Sequence, residues 1–171
     1  SAQIIQRLCG FTPTITLDPV WLWDFNNDPN IETPEYQNYI AVYGQDFTQE
    51  FIENLIQYAK HANKTLICLD CNDDNPDWCD VLIKQQDMSP YQWLGFFKNA
   101  ECIATSTFHG LTFGLLFNKR TAFCKTPFIM AKAELLLTEL DLYDLFLKDN
   151  DVAAMLNHSW DYQSINQVIQ K

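Results

Sequence analysis

The sequence predicts an α/β fold, a Rossmann-like open parallel sheet of about five strands with helices on both faces. Three observations predict it. Short apolar runs alternate with helical-period segments from Tyr39 to Cys124. The runs are apolar through most of their length, as strands covered on both faces are. The chain between them is long enough for right-handed crossovers, which keep successive strands parallel.

Taken in order, Ser1 to Asp28 holds "TITLDPVWLWDFNND", which reads as an extended stretch ending in a polar loop. "NDPNIETPEYQN" continues as loop, with Pro29 and Pro34. "YIAVYG" is the first strand, closed by Gly44. Phe47, Phe51, Ile52, Leu55, Ile56 and Ala59 then fall at helical spacing, with Asp46 or Thr48 as the cap. "KTLICLD" is the second strand, "CNDDNPDWC" a loop and "DVLIK" a short third strand. Ser89-Pro90 opens the next helix, because proline suits the first helical position. Trp93, Leu94, Phe96 and Phe97 supply its buried face. "CIAT" is the fourth strand, "FHGLTFGLLFN" a helix and "RTAFC" the fifth strand. From Ala131 the chain is mostly helical, with breaks at Asn150-Asp151 and His158-Ser159. One α/β domain thus covers 1–171, with a lead-in over 1–38, a core over 39–147 and a helical tail over 148–171.

The net charge of -11, with only Arg7 and Arg120 as arginines, argues against a nucleic-acid partner, which requires clustered cations. No run approaches the roughly 20 apolar residues of a spanning helix, and no secretory signal opens the chain. Cys68, Cys102 and Cys124 sit inside apolar runs, where cysteine acts as a small hydrophobe. With Cys9, Cys71 and Cys79 they read as reduced thiols of a cytoplasmic protein. Cys68-Leu69-Asp70-Cys71 lacks the following helix that a redox site needs. Adding Cys79 and His61 matches no zinc spacing. Asp70, Asn72 and Asp74 start like a calcium loop, but Asn75 and Val81 replace its glycine and glutamate. The expectation is no metal and no cofactor.

The chemistry concentrates in "ECIATSTFHGLTFGLLFNKRTAF". An apolar run ends in three hydroxyls, an imidazole and a glycine, then turns apolar again. Ligands of open parallel sheets bind beyond the carboxyl ends of the strands, and a helix N-terminus there suits an anion. Thr105, Ser106 and Thr107 offer hydroxyl donors, His109 a titratable group, and Gly110 close backbone approach. Arg120, with Lys119, Lys125 and Lys132, is the nearby source of positive charge. The same residues also read as a plain helix cap at Thr107 beside a structural His109. Upstream, Asp18 and Trp21 suit a sugar-side contact, though tryptophan is more often core.

The stretch from Ser89 to Phe123 resembles the most recognisable segment of the polysaccharide pyruvyl transferase family. The matching elements are Ser89-Pro90, Trp93-Leu94, Asn99-Ala100-Glu101, Phe108-His109-Gly110 and Phe117-Asn118-Lys119. Asp18-Pro19-Val20 and "YIAVYGQ" extend the likeness upstream. The resemblance implies the C-terminal lobe of a longer, two-lobed GT-B-like enzyme, inactive without its N-terminal lobe. It implies transfer of a pyruvyl group from phosphoenolpyruvate to two hydroxyls of a sugar or polysaccharide precursor. It places the protein in surface polysaccharide synthesis, in the cytoplasm or at the inner membrane surface. His109 would contact the donor, with Ser106, Thr107 and the N–H groups near Gly110 holding its anionic groups. Two departures stand out: Thr107 where many members carry Arg, and Arg120 where Pro is usual. A nucleotide-sugar glycosyltransferase lobe and a non-catalytic binding domain share this architecture and remain as alternatives.

Overall fold

The computed structural model describes residues 2–13, 18–70, 76–147 and 151–169. Tyr39–Tyr43 (β1), Thr65–Leu69 (β2), Val81–Ile83 (β3), Cys102–Thr105 (β4) and Arg120–Phe123 (β5) form one sheet. All pairs are parallel and the order is β3-β2-β1-β4-β5. Tyr39 stands opposite Thr65 on one side, and Ile40 opposite Cys102 on the other. The chain therefore runs outward from β1 to β3, returns to β4, and runs outward again. The reversal falls between β1 and β4.

The helices are α1 (Ala2–Cys9), α2 (Gln49–Ala62), α3 (Pro90–Asn99), α4 (Phe108–Leu116), α5 (Pro127–Glu139), α6 (Tyr143–Leu147), α7 (Val152–Asn157) and α8 (Tyr162–Ile169). Successive strand residues point to opposite faces, and the core divides accordingly. Ile40, Val42, Leu66, Cys68, Cys102 and Ala104 join Phe51 and Leu55 of α2 and buried residues of α5, α7 and α8. Tyr39, Ala41, Ile67, Leu69 and Ile103 join Leu94, Phe96 and Phe97 of α3. Helix α4 serves both: Leu111 and Leu115 enter the first cluster, Phe113 and Leu116 the second. Every residue of α4 from Gly110 to Leu116 is buried, which explains its lack of a polar face.

Local signals account for the boundaries. Thr48, not Asp46, caps α2, its side chain accepting from the Phe51 N–H; Asp46 takes a left-handed turn at φ 56°. Ser89 and Gln92 form a reciprocal capping box at α3, with Pro90 at the first position. Cys68 and Cys102 are fully buried, as their place in apolar runs suggested. The lead-in departs from the extended reading. It opens with helix α1, and Pro19–Leu22 is a short 3-10 helix capped by Asp18. Proline at its start and an aspartate cap favour that turn over a strand. The stretch 14–17, the Cys71–Asn75 part of the acidic loop with its calcium-like alternation, and the break at Asn150 lie outside the described residues.

Candidate functional site

The loop after β4 is held by its own hydroxyls. Thr105 Oγ1 donates to the Tyr43 carbonyl at 2.6 Å and accepts from the Thr107 N–H at 3.1 Å. Ser106 Oγ donates to the Gln45 carbonyl at 2.5 Å and accepts from the Gln45 N–H at 2.9 Å. Thr107 Oγ1 accepts from the Gly110 N–H at 2.9 Å and so caps α4. Thr105 and Ser106 are buried. Each hydroxyl has one proton to donate, and these two protons go to backbone carbonyls. Their work is to fasten the end of β4 to the end of β1.

The glycines follow from the same packing. A Cβ on Gly110 would meet Thr105 Oγ1 at 2.0 Å, so the space beside Gly110 holds a threonine. A Cβ on Gly44, at φ 139°, would meet Ser106 Oγ at 2.2 Å. Both glycines permit two loops to touch.

His109 is the group of this loop that stays open. Its side chain is 63% exposed, at the second position of α4 and at the carboxyl edge of the sheet. Its Nε2 lies 3.7 Å from Oδ2 of Asp18. Asp18 divides its oxygens: Oδ1 accepts from the Val20 N–H at 3.0 Å, and Oδ2 turns to the imidazole. The two residues expected to serve donor and sugar thus meet in space. Trp21 does not stand out as an open platform. It is half-buried and packs against both core clusters, while Leu22 and Trp23 are the exposed apolar groups of that turn.

Arg120 needs a correction. It begins β5 opposite Cys102, which begins β4, so it lies at the amino edge of the sheet. His109 follows the carboxyl end of β4. Strand residues rise about 3.3 Å each, so the four-residue strand separates them by roughly 10 Å of sheet. The Arg120 guanidinium instead donates to the Leu156 carbonyl at 3.2 Å. Lys119 precedes it at that edge, and burial lowers its pKa. Lys125, just after β5, and Lys84, just after β3, are cations whose places in the chain put them at the carboxyl edge.

A cleft of about 290 Å³ opens beside His109. Tyr43 at the end of β1, Asp70 just past β2, Met88, Ser89 and Trp93 at the start of α3, and Phe113 of α4 contribute to its lining. Trp93 is fixed by three rings, with centroids 5.0 Å from Tyr43, 4.3 Å from Phe97 and 5.2 Å from Phe113. Burial, and then the Asp70 carboxylate, push the Tyr43 hydroxyl above its ordinary pKa. No Lys or Arg is among the described residues that line the cleft. Sequence reasoning missed Asp70 and Tyr43 as site residues. The available signal was their position: each ends or follows a strand next to the point of reversal, where open sheets bind ligands. A larger groove of about 410 Å³ between α2 and α7 contains no residue of the loop after β4. Among the described residues no three His, Cys, Asp or Glu side chains gather to hold a metal ion. No described helix is long and apolar enough to cross a membrane.

Compared with known proteins, residues 1–126 match the family model described as polysaccharide pyruvyl transferase. The match spans the whole sheet, both helices whose N-termini flank the cleft, and the Asp18–His109 pair. No curated protein and no solved structure matches the chain.

Proposed function

The chain belongs to the polysaccharide pyruvyl transferase family, and on that premise we propose that it forms the pyruvyl-donor side of a ketal-forming enzyme. The donor is phosphoenolpyruvate and the acceptor a sugar with two free hydroxyls. In the balanced reaction the enol carbon C3 takes up a proton. One sugar hydroxyl adds to C2 and loses its proton. Phosphate leaves as the C2–O bond breaks, and the second hydroxyl closes the ketal, losing its proton in turn. Two protons leave the sugar, one goes to C3 and one to the departing phosphate.

The observation that carries this reading is His109. It is exposed at the N-terminal turn of a buried helix, on the carboxyl edge, 3.7 Å from a carboxylate. An imidazole so placed can give a proton to C3 or take one from a hydroxyl. The carboxylate of Asp18, 3.7 Å away, can orient the ring. Of the first N–H groups of α4, that of Gly110 is taken by the Thr107 cap, whereas those of Phe108 and His109 have no partner in their own helix and favour an anion. Thr105, Ser106 and Gly110 contribute by holding this helix start in place, and Thr107 by capping it.

A donor with two anionic groups also needs cations. The cleft lining has none among the described residues, so the reading assigns that task to Lys125 and to an N-terminal lobe outside this chain. The same shortage favours, as a second reading, a binding domain that keeps the fold without turnover. Cytoplasmic action on a polysaccharide precursor follows from the proposed donor.

The test is phosphate release by the full-length protein from phosphoenolpyruvate with an acceptor panel, wild type against His109→Ala. Loss of about 10²–10⁴-fold is expected, with the melting temperature nearly unchanged. Binding of nucleotide sugars without binding of phosphoenolpyruvate would overturn the reading in favour of a glycosyltransferase lobe. Binding of neither would leave the non-catalytic domain.

A further inference from the structure

We propose that the cleft beside His109 is a subsite for a sugar ring, in which Asp70 accepts hydrogen bonds from two adjacent hydroxyls and Trp93 packs against the ring. The inference rests on the transferase reading above and adds the residue that selects its acceptor.

Four observations carry it. First, the lining pairs apolar walls (Tyr43, Met88, Trp93 and Phe113) with polar Gln85 and Ser89, the His109 imidazole and one carboxylate, with no Lys or Arg among the described residues. That composition repels a second anion and suits a neutral ligand with apolar faces and hydroxyl edges. Second, Trp93 is locked by contacts with Tyr43, Phe97 and Phe113. A fixed aromatic face loses little conformational freedom when a ring packs on it.

Third, Asp70 is held for the task. Its backbone is left-handed at φ 55°, and its N–H donates to the Ile83 carbonyl at 2.9 Å. Aspartate is among the few side chains that accept this conformation, and it places a carboxylate at the mouth of the sheet beside β1. A carboxylate can accept from two neighbouring hydroxyls at once. Fourth, the spacing fits. Asp70 follows β2 and His109 follows β4, with β1 between them. Adjacent strands lie about 4.8 Å apart, so the two groups flank a gap on the order of 10 Å, room for one ring. A sugar held by Asp70 at one edge presents its other edge to His109.

Vicinal hydroxyls also occur in the ribose of a nucleotide, so the experiment separates the two sources. Binding of methyl β-D-galactopyranoside, methyl α-D-mannopyranoside and uridine to the full chain is followed by ligand-observed NMR. It is repeated for Asp70→Asn, which keeps the shape and tolerates the left-handed backbone, and for the control Asp87→Asn. The expected result is binding of at least one glycoside, weakened about 10–100-fold in Asp70→Asn, the worth of a hydrogen bond to a charged group, and unchanged in Asp87→Asn. In the full-length enzyme Asp70→Asn raises KM for the acceptor and leaves KM for phosphoenolpyruvate within twofold. Glycoside binding that is indifferent to Asp70→Asn overturns the inference, as does preferential uridine binding. If phosphoenolpyruvate is not used at all while glycosides still bind through Asp70, the transferase reading fails and the subsite stands.

Discussion

Asp18 and His109 meet at 3.7 Å across the mouth of the sheet, although one precedes β1 and the other follows β4. The lead-in segment is thereby part of the site, and the family match includes it. Replacing Asp18 by Asn keeps a side-chain oxygen to cap the Pro19–Leu22 turn, because Asn caps as well as Asp does. Stability of Asp18→Asn should stay within about 0.5 kcal/mol of wild type. The full-length enzyme should lose kcat at least tenfold, with KM for phosphoenolpyruvate nearly constant. Steady-state kinetics check this, and an unchanged kcat would remove Asp18 from the mechanism.

His109 and Leu111 are two residues apart on α4 and should behave as opposites. His109→Ala removes an exposed side chain, with an expected stability change within about ±0.5 kcal/mol but loss of turnover. Leu111→Ala empties a fully buried position and should cost about 2–5 kcal/mol. Urea denaturation of both variants tests the contrast. A large loss of stability in His109→Ala would make the histidine a structural residue.

Gly110→Ala drives a methyl into Thr105 Oγ1 and Cβ, at 2.0 and 2.7 Å. Strain of about 1–3 kcal/mol is expected, read from the shift in the urea midpoint. A neutral result would mean that the space beside Gly110 is open to a ligand after all.

Alkaline pH should unfold the protein progressively. Burial raises the pKa of Cys102, Cys124, Tyr39 and Tyr162 in the folded chain. A raised folded pKa means that the unfolded chain releases its proton first as pH climbs. The contribution is complete below the ordinary thiol value of about 8.5 and is lost as pH rises through the folded value. Buried Lys119, with its pKa lowered, acts in the opposite direction. Tyr43 and Tyr58 are raised as well, and the Cys79 thiol is lowered by its contact with Cys68. Six groups against two predict a net fall in stability above pH about 8.5, and Cys102→Ala should blunt its first part. Denaturation midpoints at pH 7, 9 and 10 measure it; a flat profile contradicts the assignment.

Strand order aside, the sheet was legible because each apolar run had a local cause that tertiary packing did not oppose. "YIAVY" and "TLICL" are covered on both faces, and Ser89-Pro90 capped α3 as read. The position of His109 was legible too, since a strand followed by a helix in a parallel sheet leaves one place for the turn. The partners of His109 were not. Asp18 reaches it through the fold, and a separation of that length leaves no periodic trace. The fate of the Thr105 and Ser106 protons depended on which carbonyls stood opposite, and that follows from β1–β4 pairing. Arg120 could have been excluded beforehand: the first residue of a parallel strand lies at the edge away from the turn that follows its neighbour.

The placement of β1 at the centre bears on how the chain is made. One edge of β1 pairs with β2, whose residues are made soon after, but the other waits for β4. About 60 residues separate the two strands, and at 5–20 residues per second the ribosome needs roughly 3–12 s to deliver them. During that interval an apolar strand edge with unpaired N–H and C=O groups stays available to other nascent chains. A product truncated near Asn99 keeps the edge open permanently. Such fragments should be the aggregating species in expression, whereas chains that extend through α8, with β4 and β5 in place and the first core cluster covered by α5, α7 and α8, should remain dispersed.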